Sequence, residues 1–120
     1  MKMDYRQFEL DEGWVATVGR SDRENDELSF KVAFPQDYWL HAKGCPGSHV
    51  ILHHLQENEA PKAVLEAAAR LALQFSKAKN AKKGAVSVAK VSDLAKAKGA
   101  PAGQVILRKS KTIQVYVLKS

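Results

Sequence analysis

The chain has 120 residues, 45% of them hydrophobic and 27% charged, with a formal net charge of +6. That length supports one hydrophobic core and not two, so residues 1–120 read as a single domain. The apolar runs fall well short of the roughly 20 residues a membrane-spanning helix needs. The start MKMDYRQFELDEGW carries acids and no apolar signal-peptide stretch, and the lone Cys45 excludes an internal disulfide framework. The cytoplasm is therefore the default compartment, and no membrane partner is expected.

In chain order, FELDEGWVATVGR reads as a β-hairpin. Phe8 and Leu10 alternate before the turn Asp11-Glu12-Gly13, and Trp14, Ala16 and Val18 alternate after it. SDRENDELSFKVAF suits a short amphipathic helix with Leu28, Phe30, Val32 and Ala33 on its apolar side. Ser21 or Asn25 is available as its cap, and Pro35 ends it. DYWLHAK and SHVILHH read as two strands joined by a Gly-Cys-Pro-Gly turn. PKAVLEAAARLALQFSKAK is a helix opening at Pro61, with Val64, Ala68, Leu71, Phe75 and Ala78 as its apolar stripe. Lys77 and Lys79 would sit in its last turn, against the negative end of the helix dipole. GAVSVAKV, a Lys/Gly/Pro loop, QVILR and TIQVYV complete the order β-β-α-β-β-α-β-β-β. This is an α+β fold, a mainly antiparallel sheet with one long and one short helix packed on one face.

The charge is unevenly distributed. Residues 1–60 hold 6 basic and 11 acidic side chains, net −5, whereas residues 61–120 hold 13 basic and 2 acidic, net +11. Surfaces usually mix their signs, and a positive field this lopsided suits a polyanion whose counterions are released on binding. A lysine-rich surface kept for solubility is the plain alternative.

Residues 37–54, DYWLHAKGCPGSHVILHH, concentrate the chemistry. Strand alternation puts Tyr38, Leu40 and Ala42 on one face, taken as the core side, and Asp37, Trp39, His41 and Lys43 on the other. Val50 and Leu52 likewise oppose His49, Ile51 and His53, so Trp39, His41, His49 and His53 share a face if the strands pair. A metal site lacks ligands: there is one thiol, no H-E-x-x-H and no paired C-x-x-C. Catalysis by Ser48 or Cys45 with a histidine base lacks the G-x-S-x-G elbow and an obvious orienting acid. RNA contact fits the charge map. Trp39 offers a stacking plane, His41 and His49 offer donors, and amides of Pro46-Gly47-Ser48 offer an anion-binding concavity. A purely structural role, with a core tryptophan and buried hydrogen-bonded histidines, stays open beside these readings.

GWVATVGRSDRENDELSF followed by DYWLHAKGCPGSHVIL resembles the NFACT RNA-binding domain family, NFACT-R. The resemblance runs through Val18-Gly19-Arg20, Asn25-Asp26-Glu27-Leu28, then Asp37, Trp39, His41 and Ala42. It continues with Pro46-Gly47-Ser48-His49-Val50, Ala67-Ala68-Ala69, Ser76-Lys77-Ala78-Lys79, and Lys98-Gly99-Ala100-Pro101 with Gly103 and Val105. The resemblance implies a C-terminal module of large ribosome-quality-control factors that bind stalled large subunits and tRNA, or one of the family's small stand-alone members, which this chain is similar to. It implies RNA binding without catalysis and without a cofactor, with the Asp-x-Trp-x-His face as the functional patch. Cys45 departs from the apolar residue expected before P-G-S-H. The large factors' N-terminal domain, helix-hairpin-helix segment and coiled coil have no counterpart in the sequence, so tail addition on stalled chains is not implied.

The expectation is a non-enzymatic module for structured RNA, tRNA or rRNA, in translation, ribosome quality control or RNA modification. Its contacts would be Asp37, Trp39, His41, Pro46, Gly47, Ser48, His49 and Arg20, with Lys77, Lys79, Lys82, Lys83, Lys96 and Lys98 as the cationic footprint and the large ribosomal subunit as a further partner. The rivals are an RNA-modifying or hydrolytic enzyme, or its RNA-delivery subunit, using Ser48, Cys45 or His49, and a ribosome-associated protein adaptor.

Overall fold

A computed structural model of the chain describes residues 5–116. The alternating segments pair into one six-stranded antiparallel sheet. Its strands are β1 (Arg6–Glu9), β2 (Val15–Val18), β3 (Tyr38–Ala42), β4 (Val50–His53), β5 (Lys83–Lys90) and, after the short β6 (Leu94–Ala95) and β7 (Ile106–Leu107), β8 (Lys111–Tyr116). Their spatial order is β1-β2-β4-β3-β5-β8, and β6 and β7 form a separate two-stranded hairpin. The predicted pairing of DYWLHAK with SHVILHH is present, with Trp39 opposite Ile51 and Leu40 opposite Val50.

On one face Trp14, Ala16, Val18, Tyr38, Leu40, Ala42, Val50, Leu52, Val86 and Val88 pack against the helix α2 (Lys62–Gln74). The alternation took Tyr38, Leu40 and Ala42 as the core side, and they are there. Helix α1 (Asp22–Glu27), capped by the Ser21 hydroxyl accepting the Glu24 N–H at 3.1 Å, runs into a wider π turn at Leu28–Val32. That turn delivers Leu28 to the opposite face, where it joins Trp39, Ile51, Ala89 and Leu94 in a second cluster. The two helices therefore cover opposite faces rather than one, and both faces of the central strands are buried. Among the described residues no helix is long and apolar enough to cross a membrane.

Helix α2 also ends earlier than its apolar periodicity predicts. Val64, Leu65, Ala68, Ala69, Ala72 and Leu73 form its buried stripe, while Phe75 and Ala78 lie beyond its end. A distant segment takes over there. Ser48 donates to the Phe75 carbonyl and Lys77 to the Pro46 carbonyl, each at 3.0 Å, so that Gly47 and Ser76 form an isolated β-bridge. Lys77 and Lys79, expected in the last helical turn, are carried out of the helix by this bridge, and both are exposed.

The bridge needs a glycine, because a Cβ on Gly47 would stand 2.7 Å from the Ser76 Cβ and 3.1 Å from its Cα. Gly47→Ala should lower stability by about 1–3 kcal/mol, the usual range for overpacking, measured as the midpoint of thermal or urea unfolding. Gly44→Asn should be nearly silent in the same assay. Gly44 has φ 79° but open space around it, and asparagine tolerates that backbone.

Candidate nucleic-acid interface

Four of the sequence motifs meet at one place. Asn25, 4% exposed, accepts the backbone N–H of His49 on Oδ1 at 3.0 Å, and Gly19 donates its own N–H to the His49 carbonyl at 3.0 Å. The contact is so close that a Cβ on Gly19 would lie 2.0 Å from Asn25 Oδ1. The next residue, Asp26, accepts the Gly103 N–H at 3.0 Å and the Lys96 ammonium at 2.7 Å, both on Oδ1. Lys96 also donates to the carbonyls of Pro101 at 2.6 Å and Gln104 at 2.9 Å, so the loop folds around its charge.

The His49 ring closes the knot, bonding Gly103 O through Nε2 at 3.1 Å and Ser29 Oγ through Nδ1 at 2.8 Å. A carbonyl only accepts, so the proton sits on Nε2 and the serine hydroxyl donates to Nδ1. Burial, reinforced by the neighbouring His41, pushes the His49 pKa down to about 4. Burial alone would raise Asp26, but the Lys96 hydrogen bond and the Gly103 amide outweigh it and hold the carboxyl below its usual value.

Several expected contact residues are thereby occupied internally. His49 is 2% exposed with both ring nitrogens bonded, and the Lys96 ammonium is enclosed by Asp26 and two carbonyls. Neither nitrogen of His49 is left to act as a base for Ser48 or Cys45. The amide concavity expected at Pro46-Gly47-Ser48 does not form either, since Pro46 has no N–H and that of Ser48 is bonded to Phe75.

Trp39, His41 and His49 do share a face. The Trp39 ring lies 5.8 Å from His41, stacked, and 5.1 Å from His49, edge-on. Yet Trp39 is only 3% exposed beneath Leu28 and Leu94, so it offers no plane to a base. Its buried Nε1 has no hydrogen-bond partner among the described residues, so ring and apolar contacts hold it in place. His41 is half-buried, and burial lowers its pKa against the opposing Gly47 and Ala42 backbone. Asp37, 4% exposed, accepts the Phe34 N–H on Oδ2 at 2.9 Å and pairs with His53 Nδ1 through Oδ1 at 2.6 Å. It closes the turn into β3 instead of facing solvent.

Six of the remaining expected residues converge on an open cleft of about 520 Å³ beside the knot, whereas Lys82, Lys83 and Lys98 are not among its lining. Arg20, Pro46, Gly47, Ser48, Lys77 and Lys79 line it, together with Ser21, Asp22, Asn25, Gln74, Phe75 and Ser76. Arg20 is held toward Glu24 by a two-pronged pair, Nη2 to Oε2 at 2.6 Å and Nε to Oε1 at 3.1 Å. The ammonium groups of Lys77, Lys79, Lys82, Lys83 and Lys98 are on exposed residues and have no hydrogen-bond or ion-pair partner among the described residues. Lys98 belongs to the same loop as Gly103, whose position against Asp22 borders the cleft. Sequence reasoning had left Asn25 as a possible helix cap and gave Asp26 and Ser29 no role. The signal available for the first two was the pair Asn25-Asp26 beside Val18-Gly19-Arg20.

Because native His49 stays neutral down to about pH 4 while an unfolded histidine protonates near its ordinary value of 6.5, the unfolded chain binds more protons between those values. Stability should therefore fall as pH drops from about 6.5 toward 4, by on the order of 3 kcal/mol in all for a shift of this size. His49→Gln should flatten that dependence in urea unfolding at a series of pH values. The Asp26 contribution is lost only at still lower pH, as its depressed carboxyl protonates. Trp39→Ala should appear in the same assay as a loss of about 3–5 kcal/mol, typical of a buried tryptophan.

Comparison with known proteins agrees with this architecture. The model of the family described as NFACT protein RNA binding domain matches residues 4–109. Over 108 residues the chain is 35% identical to the Rqc2 homolog RqcH of Bacillus subtilis, covering 90% of this chain and 18% of that protein. Over 102 residues it is 37% identical to RqcH of Streptococcus suis, covering 84% and 18%. The solved C-terminal part of the fibronectin/fibrinogen-binding protein of Streptococcus suis superposes with a TM-score of 0.89 at 32% identity, covering 99% of this chain and 48% of that one. The chain thus spans under a fifth of the length of these curated relatives. With a family match across nearly all of its length, it belongs to the NFACT protein RNA-binding domain family.

Proposed function

We propose that the chain is a non-catalytic RNA-binding module for structured RNA such as tRNA or rRNA, acting in ribosome quality control or a related step of translation or RNA modification. The observation that carries this reading is the cleft: Lys77 and Lys79, without an ion-pair partner among the described residues, line it beside Arg20 and the Pro46-Gly47-Ser48 turn, with Lys82 and Lys83 close by in sequence. Each lysine presents a mobile point charge suited to phosphate oxygens, and Arg20, oriented by Glu24, adds a planar donor edge. Asp37, Trp39 and His49 act beneath the surface in this reading, with half-buried His41 stacked on Trp39. They fix the strand and turn from which the cleft residues project.

The family description and the RqcH relatives support the RNA assignment, and the occupied ring of His49 favours binding over catalysis by Ser48 or Cys45. The large ribosomal subunit is a candidate partner on the same grounds.

Four phosphate contacts should give a salt slope of about −3 on single-stranded RNA and a somewhat steeper one on a duplex. In fluorescence anisotropy with labelled tRNA across a salt series, Lys77→Glu with Lys79→Glu should weaken binding and reduce the slope by roughly 1.5. Affinity and slope unchanged by this double substitution would falsify the cleft as the RNA site.

A further inference from the structure

The second face of the sheet is covered unevenly. The π turn and the β6–β7 hairpin bury Trp39, Ile51 and Ala89, but toward β2 a groove of about 340 Å³ stays open between the π turn and the ends of β2 and β4. Phe34 at 55%, Val32 at 38% and Leu55 at 90% exposure stand on its rim, with Val15 and Ile51 inside. Single exposed apolar side chains are ordinary on a protein surface, but three around one groove form a patch.

Of the polar side chains lining the groove, Gln7 and Thr17 bond each other at 3.1 Å and Asp37 is bonded to His53, which leaves the far side of the His53 ring for a ligand. His53 lies against Phe34, ring centroids 5.5 Å apart and nearly parallel, and its Nδ1 is bound to Asp37. The ring thereby has a fixed orientation, and its Nε2 has no partner among the described residues. An apolar groove with one oriented hydrogen-bonding group is the ordinary make-up of a recognition site.

Charge selects the occupant. His54 gathers two acidic loops at the Gly13 and Leu55 end: its Nε2 bonds the Glu12 carbonyl at 2.9 Å, and its Nδ1 accepts the amides of Gln56 at 3.0 Å and Glu57 at 2.9 Å. This brings the Asp11–Gly13 turn and the Glu57 backbone together at His54, the residue before Leu55, and Asp11, Glu12 and Glu57 are exposed. No lysine or arginine lines the groove, its one carboxylate, Asp37, is paired with His53, and the exposed acids stand at its Gly13 and Leu55 end. Phosphates are repelled there, and lysine or arginine side chains are attracted.

We propose that this groove docks a short protein segment carrying one bulky apolar side chain flanked by lysines or arginines. The apolar side chain sits among Phe34, Val32 and Leu55, an N–H of the segment reaches His53 Nε2, and the flanking cations face Asp11, Glu12 and Glu57. The surface is distinct from the cationic cleft, so a basic protein and an RNA can be held at once.

The test titrates the full ¹⁵N-labelled chain with two peptides of equal charge, Lys-Lys-Gly-Phe-Gly-Lys-Lys and Lys-Lys-Gly-Ser-Gly-Lys-Lys, reading amide shifts, with tRNA anisotropy measured in parallel. The phenylalanine peptide should bind about tenfold or more tightly, the scale set by burying one such side chain, with shifts at residues 32, 34, 51, 53 and 55. Leu55→Ser and Phe34→Ser should remove that preference, Glu57→Lys should weaken both peptides, and none of the three should alter tRNA affinity. Equal binding of the two peptides, or shifts confined to the cationic cleft, would overturn the proposal. So would a loss of tRNA affinity in Phe34→Ser, which would make the groove part of the RNA surface.

Discussion

Two neighbouring side chains, Asn25 and Asp26, hold together segments that are far apart in sequence. Asn25 fastens the entrance of β4 through the His49 amide, and Asp26 fastens the loop after β6 through Gly103 and Lys96. Each hydrogen bond contributes about 1 kcal/mol net, but an orphaned buried amide costs about 1–3 kcal/mol, so the arrangement resists partial loss. The closeness of Gly19 to Asn25 belongs to the same constraint, since β2 could not lie against the helix start with a side chain at that position. The floor of the cleft is therefore made of backbone held in place from three directions, and the cations around it project from a rigid base.

The short π turn continues this constraint onto the other face of the sheet. α1 is only 6 residues long, too short to be stable by its own propensity. It is held at its N-terminus by the Ser21 cap, along one side by the Asn25 and Asp26 bonds, and at its far end by Leu28 in the second core cluster. The wider turn also places Ser29 against His49, linking the packing of the second face to the hydrogen bonds of the knot.

Much of the fold was legible in the chain because strand alternation reports faces directly. Tyr38, Leu40 and Ala42 fall on one side, and Trp39 and His41 fall together on the other, as the spacing required. What alternation cannot report is what covers the second face. A half-buried and a fully buried strand read alike when the outward residues are Trp and His, and here Leu28 and Leu94, brought from elsewhere in the chain, cover it. The end of α2 was misread for a similar reason. Leu71, Phe75 and Ala78 keep helical spacing, but the Gly47–Ser76 bridge claims the backbone at that point, and a contact across nearly 30 residues leaves no trace in local periodicity. Lys96 and Lys98 are indistinguishable as letters in a basic loop. One is enclosed by Asp26 and two carbonyls, and the other is exposed with no partner among the described residues.

A sequence motif and a contact surface are therefore different things in this domain. Asp37 bonds the Phe34 amide and His53, Trp39 fills the space under Leu28 and Leu94, and His49 joins Ser29 to Gly103, so the most recognisable letters are mostly interior. Their chemistry explains why those residue types are needed. A carboxylate can accept from two donors at a turn, an indole supplies a large flat surface for packing two rings, and an imidazole both donates and accepts along one line. Burial also keeps His49 uncharged near neutral pH and depresses His41, so the positive field of the cleft rests on lysine and arginine alone. The interior sets the geometry of the surface, and the exposed cations set its charge.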